Sequence, residues 1–141
     1  MSAAPMTTTS SEQLTVSDVA TAVGAADLRQ LVGEWLGDCG VSIEQISDVL
    51  MGVNEALANC VDHAYSRDRA PGTMTVRADF DPADMRVSVC ITDHGTWRQP
   101  GPQRVKGRRG RGVELMHALA DHCTINGRRD GTTVCLDYGR R

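Results

Sequence analysis

Five residues with side chains or backbone suited to ligand contact recur by threes and fours in the middle of the chain: Asp48, Gly52, Glu55, Asn59 and Asp62. On a helix that turns ~100° per residue they fall within roughly 80° of one another, on the side away from Val53, Leu57 and Ala64. Two readings stand. The stripe is an ordinary solvated face, or something lies against it, because asparagine and above all glycine are poor choices for a helix optimised only for stability. A second candidate is D-H-G-T-W, residues 93–97. Asp followed by Gly is common turn chemistry. The same residues also suit a flat base, with Asp93 accepting a hydrogen bond from an exocyclic amine and Gly95 letting the ring approach the backbone. Such a site would prefer adenine to guanine, which sets an oxygen acceptor against the carboxylate at a cost of about 1–3 kcal/mol. A third candidate is G-R-R-G-R-G-V-E-L-M, residues 107–116. It is either a mobile linker or an anion site, in which glycines opening a helix offer free N–H groups and the positive end of a dipole.

The elements that must hold these residues follow from the hydrophobic period. Residues 1–13 lack Lys, Arg and any apolar run, so a flexible tail is expected and no secretory or transit signal is recognised. Leu14 to Val19 reads as a short edge strand. Leu28, Leu31, Val32, Trp35 and Cys39 mark a first helix, with Asp27 as its cap and Gly37 and Gly40 at its end. A second helix starts at Ser42, where S-I-E-Q has the form of a capping box, and runs to about Tyr65. Its buried face is expected to be Ile46, Val49, Val53, Leu57, Cys60, Val61 and Ala64. Residues 73–92 switch to period two around the turn D-P-A-D and form a hairpin. A Gly, Pro and Arg loop from Asp93 to Gly112 precedes a short helix around Leu115, Met116, Leu119 and Ala120. Cys123 to Asn126 and Thr132 to Tyr138 make a last hairpin. Helices laid on one face of a mixed, mostly antiparallel sheet give an α+β fold, a two-layer α/β sandwich.

Composition narrows the classes. At 141 residues and 40% hydrophobic content the chain suits one compact unit, expected over residues 14–141. No segment approaches the ~20 apolar residues needed to span a bilayer, so a soluble, cytoplasmic protein is expected. The net charge of −3 divides unevenly, with −8 on residues 1–100 and +5 on residues 101–141. An acidic body with few aromatics argues against direct nucleic-acid binding. Cys39, Cys60, Cys90, Cys123 and Cys135 are odd in number and lack a C-x-x-C pair, so all five are expected as reduced, small core residues.

The order of the motifs is more specific than any one of them. An acid and an amide four apart on a helix, then D-x-G after a strand, then G-x-G opening a helix, then G-T-T-V at the last strand, resembles the GHKL ATPase superfamily of gyrase, heat-shock chaperone, histidine-kinase and mismatch-repair ATPases. V-N-E-A-L-A-N-C-V-D-H-A-Y, residues 53–65, resembles the N box of the bacterial anti-sigma-factor serine/threonine kinases, whose typical form is E-A-x-x-N-A-x-x-H-x-Y. The resemblance covers about residues 14–138 and implies a Bergerat-type ATPase fold with ATP and Mg²⁺ as cofactors.

Position by position, the resemblance implies that Asn59 ligates Mg²⁺ and that Glu55 is the general base of phosphoryl transfer. Asp93 and Gly95 would hold adenine, with Thr133 beside Asp93 through a water. Gly110, Gly112 and the following helix would receive the phosphates, Arg108 would reach the γ-phosphate, and Arg111 adds positive charge. His63 and Tyr65 fit the N box as packing or hydrogen-bonding residues that anchor the helix end. Two departures are visible: Trp97 stands where the family's D-x-G-x-G has its last glycine, and Cys60 replaces the small residue after the N-box asparagine, where it fits the buried stripe. The implied activity is that of an anti-sigma factor that sequesters a sigma factor and phosphorylates a Ser or Thr of an anti-anti-sigma factor; added charge at that interface releases the antagonist. The family's small members often pair, which makes a homodimer an expectation. The alternative is a non-catalytic regulatory module that uses ATP only to order its lid, Arg104 to Arg111.

Overall fold

The period-two segments pair into a six-stranded sheet, and the period-3.6 segments cover one face of it. The computed structural model describes residues 6–9, 12–63, 72–94, 110–128 and 131–139. Its elements are β1 (Met6–Thr9), β2 (Gln13–Val19), α1 (Ala22–Asp38), α2 (Ile43–His63), β3 (Thr73–Asp81), β4 (Arg86–Asp93), α3 (Gly110–Leu119), β5 (His122–Arg128) and β6 (Gly131–Tyr138). The strand order is β1-β2-β3-β4-β6-β5. Every pairing among the described strands is antiparallel, where a mixed sheet was an open expectation. The two-layer α+β sandwich itself is as the sequence predicts.

Alternation sorts the side chains between the two faces. Met74, Val76, Ala78 and Phe80 of β3, Val87, Val89 and Ile91 of β4, and Val134, Leu136 and Tyr138 of β6 are buried toward the helices. Leu28, Val32, Trp35 and Leu36 of α1 and Val49, Val53, Ala56, Leu57 and Cys60 of α2 close the core from the other side. α1 packs on β2 and α2, and α2 packs on β4, β6 and α3. α2 is therefore the central helix, and the buried face of its C-terminal half lies toward the ends of β4 and β6.

Local chemistry corrects several sequence expectations. α1 begins a full turn before Asp27, because Thr21 is its cap and accepts at Oγ1 from Gly24 N at 3.0 Å. Gly40 takes φ 85° after the helix, the left-handed stop that glycine tolerates. The expected tail holds a strand: Met6–Thr9 pairs antiparallel with Leu14 to Ser17, which makes β2 an interior strand. Its run of β-branched threonines has the strand preference, and β1 is the terminal strand of the described sheet. The β3–β4 turn is tightened by Asp81 Oδ1, which accepts from Ala83 N at 3.0 Å. Met85, expected within the strand pattern, is a turn residue with φ 53°.

The cysteines also differ from expectation. Cys60 is buried, but Cys90 and Cys135 are register partners on the face away from the helices and are joined by a disulfide. Their 45-residue separation carries no pairing signal; strand register alone brings their Cα atoms to 4.1 Å.

Candidate functional site

α2 is positioned by a glycine that the sequence presents as part of a polar stripe. Gly52 is buried, and a Cβ there would run into the Tyr138 hydroxyl and the Leu136 side chain of β6. Its role is close helix–sheet approach, not contact with a ligand, and this corrects the reading of the stripe. With α2 pressed onto β6 at this point, the next two turns carry Glu55 and Asn59 along the sheet. Glu55 is half-buried. Asn59 is 3% exposed, and its Oδ1 is buried without a hydrogen-bond partner. An orphaned acceptor of this kind costs about 1–3 kcal/mol unless a ligand, ion or ordered water meets it.

The strand ends supply the second half of the site. Asp93 closes β4 and is 1% exposed. The Cys60 thiol of α2 donates to its Oδ2 at 3.6 Å. Burial, and then the neighbouring carboxylate, push the Cys60 thiol far above its ordinary range, so it stays protonated and remains a donor. Opposite Asp93 in the β4–β6 register stands Thr132, also 1% exposed, with its Oγ1 buried and unpartnered. Gly131 precedes it, where a Cβ would meet the Asp93 carbonyl and the His94 backbone. The G-T pair thus works as a unit: the glycine permits close approach to the end of β4, and the threonine turns its hydroxyl inward.

This register corrects the expected place of Thr133. Its partner is Thr92, not Asp93, and its hydroxyl lies 3.1 Å from Thr92 Oγ1 and accepts from Arg128 Nη1 at 3.1 Å. A slip of one residue along a strand sends a side chain to the opposite face. The inward position is Thr132. The signal was available in the sequence, since Thr132 has the parity of Val134, Leu136 and Tyr138, which face the helices.

The remaining expected residues divide by region. α3 begins at Gly110, earlier than the hydrophobic pattern suggests, so Gly110, Arg111 and Gly112 occupy its first turn and the N-terminal N–H groups of a ten-residue helix originate there. α3 packs on α2, and its Met116 is buried in the core. Gly95, Trp97 and the Arg104 to Arg111 lid up to residue 109, including Arg108, lie outside the described residues, as does Tyr65. Three elements thus bring Glu55, Asn59, Cys60, Asp93 and Thr132 to one end of the sandwich. Two of the five, Cys60 and Thr132, were not foreseen as site residues.

The donor set fits a nucleotide and a hard divalent cation. Asn59 Oδ1 is an oxygen acceptor with no hydrogen-bond partner, which would suit a metal that keeps several waters and takes one or two protein oxygens. Asp93 and Thr132 place a buried acceptor and a buried hydroxyl side by side, the arrangement that reads one edge of a base. Among the described residues no cluster of His, Cys, Asp and Glu could hold a metal unaided, so such a cation would need phosphate oxygens as well.

Comparison with known proteins gives the class. A profile described as the histidine kinase-like ATPase domain matches residues 19–138, and the chain belongs to that family. Within it the chain falls with the anti-sigma-factor serine/threonine kinases. It is 28% identical over 130 residues to an anti-sigma F factor of Lysinibacillus sphaericus, covering 86% of this chain and 88% of that protein. It is 30% identical over 112 residues to the serine-protein kinase RsbW of Bacillus licheniformis, covering 69% of this chain and 66% of that one. The crystal structure of the RsbU and RsbW domains of a Mycobacterium tuberculosis protein superposes with a TM-score of 0.72 at 25% identity; it covers 92% of this chain, which spans 33% of that longer one. No helix among the described residues is long and apolar enough to cross a membrane.

Proposed function

We propose that residues 14–141 act as one ATP-binding unit, a cytoplasmic anti-sigma factor that sequesters a sigma factor and phosphorylates a Ser or Thr of an anti-anti-sigma factor. The observation that carries this reading is the buried, orphaned Asn59 acceptor one turn from the Glu55 carboxylate, on the same end of the molecule as Asp93 and Thr132. Asp93 and Thr132 bind the adenine edge. Asn59 holds Mg²⁺ by Oδ1. With Gly110, Arg111, Gly112 and the N-terminus of α3 it fixes the phosphates; Gly95 and Arg108 are assigned with them by the family pattern. When bound, the metal neutralises charge on the phosphate oxygens.

Glu55 supplies the proton chemistry. Its carboxylate accepts the proton of the antagonist's Ser or Thr hydroxyl as that oxygen bonds to the γ-phosphorus; the bond from γ-phosphorus to the β–γ bridging oxygen breaks and ADP leaves. The half-buried position of Glu55 suits this role, since the carboxylate remains accessible to a protein substrate. Names borne by relatives support the two partners: one is an anti-sigma F factor and another a serine-protein kinase.

The test is incubation with labelled ATP, Mg²⁺ and a candidate antagonist. Label is expected on a Ser or Thr of the antagonist, and Glu55→Ala is expected to abolish it while ADP binding persists. Binding without any transfer in the wild-type protein would favour the non-catalytic module instead.

A further inference from the structure

The thiol of Cys60 ties α2 to the end of β4 through Asp93. Asp93 is 1% exposed and Cys60 is 2% exposed, so the contact between them at 3.6 Å is shielded from water. A carboxylate in so dry a place needs donors to keep one orientation. The residue after the N-box asparagine is small in the resembled family, and small residues such as alanine bring no donor. Cysteine adds one without adding a second charge or the strong acceptor of a hydroxyl.

We propose that Cys60 is a positioning residue for base recognition: by donating S–H to Asp93 Oδ2 it fixes the orientation in which the carboxylate accepts from the base, and it thereby sets how strictly the site takes adenine over guanine. This rests on Asp93 as the adenine acceptor. A carboxylate accepts, so while it is held toward the base edge it pairs with the exocyclic amine of adenine and opposes the carbonyl oxygen of guanine. Removing the thiol takes away a donor that holds Oδ2, and the carboxylate can then turn from that edge, which weakens the adenine pair and relieves the opposition to guanine.

Calorimetric titration of the full chain with ADP and with GDP, for wild type, Cys60→Ala, Cys60→Ser and Asp93→Asn, separates the outcomes. Cys60→Ala is expected to weaken ADP about tenfold and to narrow the ADP:GDP affinity ratio by a similar factor. Cys60→Ser, which keeps a donor, is expected to restore most of the ratio. A packing role alone would lower the melting temperature of both variants and leave the ratio intact, and that result overturns the proposal. Asp93→Asn is the arm for the underlying reading: if it binds ADP as wild type does, Asp93 is not the acceptor. If it loses ADP while Cys60→Ala keeps both affinity and ratio, the base reading stands and the role of Cys60 falls. Should Cys60→Ala not fold, the serine variant decides, since an unchanged melting temperature with a ratio collapsed to that of Asp93→Asn would equally contradict rescue by a retained donor.

Discussion

α2 buries two primary amides, and the difference between them separates architecture from function. Gln45 and Asn59 lie fourteen residues apart, which puts them about 40° from each other around the helix, both toward the sheet. Gln45 is 2% exposed and its Nε2 donates to Gly139 O at 2.7 Å and to Met85 O at 3.4 Å, tying the start of α2 to the end of β6 and the β3–β4 turn. Asn59 is equally buried and its Oδ1 meets nothing. The same side-chain chemistry is satisfied by the fold at one end and left open at the other. A buried amide with partners serves packing; one whose acceptor is left open, beside other side chains suited to a ligand, has room for one.

The largest way to sharpen this contrast lies one turn from Asn59. Glu55→Gln keeps the volume and hydrogen-bonding capacity of the side chain but cannot take a proton, so phosphotransfer is expected to fall roughly 10²–10⁴-fold with ADP affinity unchanged in calorimetry. A rate that survives would remove Glu55 from the chemistry. Next come the two amides themselves. Asn59→Ala is expected to abolish the Mg²⁺ dependence of ATP binding while leaving apo stability within about 1 kcal/mol of wild type, because the lost packing is offset by removal of an unpaired acceptor. Gln45→Ala is expected to do the reverse: it strands the Gly139 and Met85 carbonyls, costs about 1–3 kcal/mol in denaturant unfolding, and leaves nucleotide affinity alone. If the two variants exchanged these phenotypes, the division of α2 into a structural and a ligand-binding end would be wrong.

How much of this was legible in the sequence depends on whether a property is local. The period-two runs of β3 and β4, the apolar stripe of α2 and the S-I-E-Q start are local, and they were readable; Ser42 Oγ does accept from Gln45 N at 3.1 Å. The other half of that motif was not, because the Gln45 side chain serves carbonyls 40 and 94 residues away. Gly52 was misread for the same reason: its neighbour is Tyr138, on the last strand. β1 was missed because a run of threonine, polar enough for a tail, becomes a strand only when β2 lies alongside. The site motifs on α2 and at Asp93 were legible as a set, yet the Cys60–Asp93 bond and the Cys90–Cys135 link exist only once register and helix packing are known.

Register also supplies the smallest and most discriminating prediction, because it concerns two adjacent residues of one type. Thr132 and Thr133 differ only in the face they occupy. Thr132→Val removes a buried hydroxyl that has no partner in the apo protein, so stability is expected to hold or rise by up to about 1 kcal/mol, while ADP affinity falls several-fold through loss of the group beside Asp93. Thr133→Val removes a hydroxyl bonded to Thr92 and Arg128 on the far face, at a cost of about 0.5–1.5 kcal/mol, and ADP affinity is expected to stay as it is. Paired melting and calorimetry on the two variants therefore move in opposite directions. Loss of ADP affinity in Thr133→Val with retention in Thr132→Val would show that β6 is displaced by one residue in the nucleotide-bound protein, and that the inward face derived from Val134, Leu136 and Tyr138 does not extend to the end of the strand.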